Sequence, residues 1–217
     1  MIAASACATA SHSTSSAAPV ISQPTINPQS EAAAIQQART DSLRRPYTEA
    51  DIRFMSGMIH HHAQAIVMSS WAASHSASAS VQRLADRIIN AQQDEILTMQ
   101  NWLRDRQQPV PDATATGMTM TMGGMQHEML MPGMLTAAQM KQLDAARGPE
   151  FDRLFLTYMI QHHRGAVSMV KELFDSYGAG QDEVVFKFAS DVNVDQTTEI
   201  ARMDKMLIAV TLGIQTQ

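Results

Sequence analysis

From about residue 48 to residue 212, apolar positions recur at helical spacing. Gly, Pro and Ser clusters cut that stretch into four long segments and one short one. The spacing predicts a first helix over 48–75, with Thr48 as N-cap and Glu49 and Asp51 at its positive end. A Ser/Ala break precedes a second helix over 80–107, where Val81, Leu84, Ile88, Ala91, Glu95, Ile96, Met99 and Leu103 lie near helical period. Pro109 and Pro111 end it. A short helix is predicted over 136–146 with Thr136 as its cap. The third long helix begins near Pro149 and stops at Gly178 and Gly180. The fourth spans 182–212, with Val185, Phe188, Val192, Glu199, Met203, Met206 and Leu207 on or near one face.

The second half of this pattern repeats the first. A shift of 101 lays Asp51, Phe54, Met58, Ile59, His61, His62, Ala65 and Met68 onto Asp152, Phe155, Met159, Ile160, His162, His163, Ala166 and Met169. A shift of 104 lays Ala85, Gln92, Glu95, Ile96, Met99 and Leu103 onto Ala189, Gln196, Glu199, Ile200, Met203 and Leu207. Each half is one αα-hairpin, and neither can bury its apolar face alone. The predicted fold is therefore all-α, a four-helix bundle of two repeated hairpins. The long connection between them permits a ferritin-like crossover. The bundle domain is 46–212: repeat one 46–107, a Met-rich linker 108–134, and repeat two 135–212.

Before residue 46 the pattern vanishes. Residues 1–45 are mostly Ala, Ser, Thr, Gln and Pro, with few large apolar groups, a composition that reads as a flexible tether. The start, Met1-Ile-Ala-Ala-Ser-Ala-Cys7, resembles the tail of a lipoprotein export signal, which would make Cys7 a lipid anchor. No stretch reads as a transmembrane span, because the uncharged 54–82 segment holds three consecutive histidines and many serines. A net charge of -5 gives no reason to expect nucleic acid as partner.

Composition sharpens the chemistry. There are 17 methionines and one cysteine, so a cysteine-cluster metal site is excluded. Within the first helix, Met58 and His62 lie about 40° apart, and His61 and Met68 about 20° apart. Met159–His163 and His162–Met169 keep those offsets in the repeat. On the partner helices, Glu95–Met99 and Glu199–Met203 set a carboxylate and a thioether one turn apart. Thioethers select soft cations, Cu(I) above all, and imidazole suits copper as well. Sites built from Met and His without Cys also fit an oxidising compartment. Taken singly, such methionines more often fill a core. A duplicated His-His pair with matched Met neighbours points instead to ligation. His60 is left out, since Gln161 takes its place in the repeat. Glu95 and Glu199 read as orienters of the histidines rather than direct ligands.

In the linker, Met118, Met120, Met122, Met125, Met129, Met131 and Met134, with His127 among them, sit between helix-breaking glycines. Seven exposed methionines in such a loop suggest capture of a soft ion; a lid on the bundle or a partner surface are the alternatives. No Glu-x-x-His, HExxH, G-x-S-x-G or phosphate-binding glycine loop occurs, so no enzyme is expected.

Phe54-Met-Ser-Gly-Met-Ile-His-His-His-Ala-Gln-Ala-Ile-Val-Met68 and Gln92-x-x-Glu95-Ile96-x-x-Met99-x-x-Trp102-Leu103 closely resemble a bacterial secreted family, domain-of-unknown-function family 305. So do Met131-Pro-Gly-Met134, the Phe151 to Met169 segment and Gln196-x-x-Glu199-Ile-x-x-Met203. The resemblance covers about 46–212. It implies a ferritin-like fold with two helices per repeat. The family includes a periplasmic copper-resistance protein, which implies copper or silver binding through Met58, His61, His62, Met68, Met159, His162, His163 and Met169. The expectation is a periplasmic or secreted protein that sequesters Cu(I), and Ag(I), or hands it to another envelope copper-handling protein. The alternative is a structural or interaction module of the cell envelope using the methionine loop as its apolar surface.

Overall fold

Thr48 is extended, and the helix that follows closes a capping box on it. Its Oγ1 accepts from the amides of Ala50 and Asp51 at 3.2 and 3.4 Å, and its own amide donates to Asp51 Oδ2 at 2.6 Å. The result is α1, Glu49–Ser70. It ends five residues before the sequence expectation, because 71–76 turns out of the helix through Ser76 at φ 57. Ser78 caps α2, Ala79–Asp105. Thr136 and Gln139 form a second capping box on the short α3, Ala137–Ala145. Pro149 lies in the first turn of α4, Gly148–Asp175, and Asp182 caps α5, Glu183–Thr211.

The chain was described from a computed structural model. It covers Ala32, residues 47–113 and 130–213, and the backbone of 118–122 and 125–129. The bundle lies in the unit Arg45–Gln217. Apart from Ala32, the expected tether and Cys7 lie outside the described residues. No helix among the described residues is long and apolar enough to cross a membrane.

The linker differs from a plain loop. Residues Met118–Met122 (β1) and Met125–Met129 (β2) pair as an antiparallel ribbon, with Met118 opposite Met129, Met120 opposite His127 and Met122 opposite Met125. The alternating Met-Thr-Met-Thr-Met run followed by Gly-Gly is a strand-and-turn signal of period two, which the glycine count had obscured.

α1 packs on α2 and α4 on α5, and the hairpins join through α1 and α4. Two buried carboxylates set the relative direction. Asp51 Oδ1, at the start of α1, accepts from Gly180 N beyond the end of α4 at 2.7 Å. Its repeat-mate Asp152, at the start of α4, accepts from Ser78 N beyond the end of α1 at 3.1 and 3.2 Å. α1 and α4 are therefore antiparallel and related by an approximate two-fold. At the end of the bundle where α1 begins, Trp102 Nε1 and Arg106 reach Asp182 at 3.0 and 2.5 Å, tying the close of α2 to the start of α5. α4 starts at the other end, where Gly148 N donates to His75 O at 2.9 Å. Arg106 and Arg147 therefore stand at opposite ends of the bundle, and a connection between opposite ends is the ferritin-like crossover.

The core splits in two along the bundle. One apolar cluster holds Phe54, Met58, Met99, Ala166, Met169 and Phe188. The other holds Ala65, Met68, Phe151, Phe155, Met159 and Met203.

Candidate metal centre

The histidines lie between those two clusters. His61, His62, His162 and His163 have no solvent exposure. His61 and His162, one from each repeat, are in contact, with ring centroids 3.7 Å apart and planes tilted by 39°. Ala65 and Ala166, fully buried one turn further along each helix, allow α1 and α4 to approach closely enough for this. His62 and His163 point to the partner helices. His62 Nε2 lies 2.6 Å from Glu95 Oε2, and His163 Nε2 lies 2.8 Å from Glu199 Oε2. Each carboxylate is partly buried and ionised carboxylates only accept, so Nε2 carries the proton in both rings. His61 Nε2 faces the Pro132 carbonyl at 3.0 Å and must likewise donate.

These bonds leave the opposite edge of the three rings bare. Nδ1 of His61, His62, His162 and His163 is buried without a hydrogen-bond partner, and so is Nε2 of His162. A buried polar atom without a partner costs about 1–3 kcal/mol, so five of them in one layer call for an explanation. Burial, reinforced by the neighbouring His62, holds the His61 pKa down to about 3. Burial, then the charge of His61, pushes His162 well below its ordinary value. Both rings are thus neutral at pH 7, and the bare Nδ1 of His61 is a lone pair.

The thioethers flank this layer in two sets related by the repeat. Met58, Met99 and Met169 belong to the cluster on one side, and Met68, Met159 and Met203 to the cluster on the other. All are buried. Among the described residues no three His, Cys, Asp or Glu side chains stand ready to hold an ion. Any ion at this layer would draw on sulfur as well as nitrogen.

Part of the crossover straps the layer. Gly133, at φ 77, and Gly165 on α4 meet backbone to backbone; a Cβ on Gly165 would lie 1.9 Å from Pro132 O. Gln64 holds the strap from α1, its amide donating to Leu135 O at 3.0 Å and accepting from Leu135 N at 2.6 Å. Gln161 donates to Gly133 O at 3.2 Å, which is the use made of the position that matches His60. The strap therefore caps His61 and leaves His162 uncapped. The sequence reading gave Gln64, Gly133, Gln161 and Gly165 no role at the site; a glycine inside the repeated helix was the available signal.

Among the linker methionines, Met134 corrects the expectation of exposure: it is 4% exposed and its sulfur accepts from Met131 N at 3.4 Å. Met131 is half-buried. Its side chain and that of Met169 both come within 4 Å of where a Gly57 Cβ would stand. They line a cavity of about 260 Å³ with Phe54 and Pro132. The side chains of Met118, Met120, Met122, Met125, His127 and Met129 lie outside the described residues.

On α5, the Asp195 carboxyl is pushed above its ordinary range by partial burial and by the charges of Glu95, Asp191 and Glu199.

Residues 51–207 match the family described as a domain of unknown function, DUF305. Among solved structures, a DUF305 protein from Streptomyces coelicolor, described as secreted, is 30% identical, with a TM-score of 0.62 over 77% of this chain and 96% of its own. A DUF305 fragment from Deinococcus radiodurans is 26% identical, with a TM-score of 0.61 over 75% and 98%. CopM in its Cu(I)-bound form is 27% identical, with a TM-score of 0.53 over 72% and 94%. CopM has also been solved bound to Cu(II) and to silver. A curated relative, uncharacterized protein L153 of Acanthamoeba polyphaga mimivirus, is 39% identical over 56 residues, 26% of this chain and 37% of its own length.

Proposed function

As a member of the DUF305 family over residues 51–207, this chain is one that we propose binds Cu(I), and Ag(I), in its bundle core and acts as an exported carrier or store of that ion. One observation carries the reading: four buried histidines in a single layer, each with an unpartnered Nδ1, between two repeat-related sets of buried methionines. Neutral imidazole and thioether together are a soft donor set, and it holds no thiolate. His61, His62, His162 and His163 would supply nitrogen, with Met58, Met99 and Met169 or Met68, Met159 and Met203 supplying sulfur. Glu95 and Glu199 would hold His62 and His163 in orientation, as outer carboxylates commonly do for metal-bound imidazole. The metal forms of CopM support the choice of ion. The description of the Streptomyces relative as a secreted protein supports export. On this reading Cys7 is the lipid-attachment point.

The ribbon is a further capture point on this reading. Its register sets Met118, Met120 and Met122 opposite Met129, His127 and Met125. Met131 and Met169 line the cavity beside the strap.

Anaerobic titration of the metal-free protein against a colorimetric Cu(I) chelator is the test. Stoichiometric withdrawal of Cu(I) is expected, with most of it lost when His61, His62, His162 and His163 are replaced together. An intact protein that leaves the chelator complex untouched would sink the proposal.

A further inference from the structure

The two halves of the bundle differ at one matched place. A cavity of about 260 Å³ opens between the start of α1 and the end of α4, beside the strap. The shift of 101 sets its counterpart where α4 starts against the end of α1. There the space is filled. Phe151 and Tyr158 are buried, and the His75 ring lies between Trp71 and Phe151 with centroids at 5.8 and 5.2 Å. Around the cavity the matching positions are cut back. Ala50 stands for Phe151, Gly57 for Tyr158 and Ser176 for His75. Packing does not ask for the glycine. A Cβ on Gly57 would meet Met169 Cε at 3.5 Å and Met131 Cγ at 3.7 Å, which is ordinary contact. Glycine inside a helix also weakens it. What Gly57 secures is the room that a phenol ring takes in the other half.

The remaining walls are apolar, with Phe54, Met131, Pro132, Met169 and Leu173 among them. Thioethers make favourable contacts with the edges of aromatic rings. An apolar cavity of about 150 Å³ already admits benzene, so this one has room for a single substituted ring. Its two charged lining residues come from opposite helices, Arg53 on α1 and Glu172 on α4. They stand at the positions of Leu154 and Trp71 in the other half. Both are exposed, and neither has an ion-pair partner among the described residues. A guanidinium suits a carboxylate, and a carboxylate suits an ammonium.

We propose that this cavity binds a small aromatic molecule carrying both an ammonium and a carboxylate, an aromatic amino acid being the simplest. The ring takes the space beside Gly57, with the carboxylate at Arg53 and the ammonium at Glu172. The inference rests on the cavity and on its filled counterpart, not on the core binding Cu(I).

L-phenylalanine is the probe. Added at millimolar concentration to the full-length, metal-free protein, it should shift the amide resonances of Gly57 and Leu173 in nuclear magnetic resonance spectra, and the shifts should saturate. Phenylacetate and phenethylamine each lack one charge and should bind about tenfold more weakly, the order of one charge-assisted hydrogen bond. Arg53→Leu and Glu172→Gln, both at exposed positions, should each weaken L-phenylalanine by a similar factor. Gly57→Tyr, which copies the other repeat, should abolish binding. No saturable shift, or unchanged affinity in Arg53→Leu and Glu172→Gln, overturns the proposal. So does binding retained by a folded Gly57→Tyr variant. Should that variant unfold, as read by circular dichroism, the two charge variants decide. Shifts that follow protein concentration instead would assign the cavity to a second copy of the chain and overturn the proposal as well. With no metal in the sample, failure here leaves the Cu(I) reading standing, and loss of Cu(I) binding leaves the cavity standing.

Discussion

The decisive residues are His61 and His162. Both are neutral in the fold because burial leaves no room for a charged ring. In the unfolded chain they titrate near the ordinary value of about 6.5. The folded values lie below that, so the unfolded chain binds more protons as the solution is acidified. The stability that comes from keeping these rings neutral is complete above pH ~6.5. It falls by roughly 1.4 kcal/mol per pH unit per ring as pH drops toward about 3 for His61. Urea unfolding of metal-free protein should show a clearly lower midpoint at pH 5 than at pH 7. Equal midpoints would contradict neutral burial. The methionines allow a sharper test at this scale. Met and Leu are close in volume, and such swaps usually cost under about 1.5 kcal/mol. Met58→Leu with Met99→Leu and Met169→Leu should therefore keep the fold but weaken Cu(I) competition. Full Cu(I) affinity in that variant would make these methionines core filler.

Among the elements, the strap shows how a connection becomes part of a site. It lies on α4 only because Gly165 has no Cβ and Gly133 accepts a positive φ. A Cβ at Gly165 would lie only 1.9 Å from the Pro132 carbonyl oxygen, and neither backbone can yield cheaply. Gly165→Ala should lower stability by about 1–3 kcal/mol, the range for overpacked cores, as read by chemical denaturation. It should also release the Pro132 cap from His61, which the imidazole resonances in nuclear magnetic resonance spectra would report. A variant with unchanged stability would mean that the strap is held by its hydrogen bonds to Gln64 and Gln161 rather than by the glycine contact. The helix ends carry their own chemistry. Asp51 and Asp152 are nearly or fully buried, yet each satisfies the loop of the opposite hairpin.

Over the whole molecule, the approximate two-fold decides what is shared and what is doubled. The His61–His162 contact makes one central layer from both repeats. The methionines form two sets, one on either side of it. Metal that binds the folded state alone should stabilise the protein by mass action, about 2.7 kcal/mol at a free ion concentration a hundred times Kd. Thermal unfolding with and without Cu(I) should show that rise in the native protein and not in the variant lacking the four core histidines. An equal rise in both would assign the stabilising ion to another site.

Much of this was legible in residue order. Helical period, the Thr48 and Thr136 caps and the helix-ending glycines depend on neighbours a few positions away, so the elements could be read directly, within a few residues at their ends. The repeat was visible because Met58, His61 and His62 recur at Met159, His162 and His163 with the same spacing, and that spacing already put the donors on one stripe. Strand alternation in the linker was present in the letters but hidden by its glycines. Other features arise from contacts between residues far apart in the chain. That His61 touches His162, that Asp51 binds the Gly180 loop, and that the crossover lays Pro132 on Gly165 all follow from α1 and α4 running antiparallel. The same packing separates Met58 from Met159 and gathers Met58 with Met169. Local periodicity carries no information about which side of a shared layer a side chain will occupy. Only the packing of the two hairpins against each other sets it.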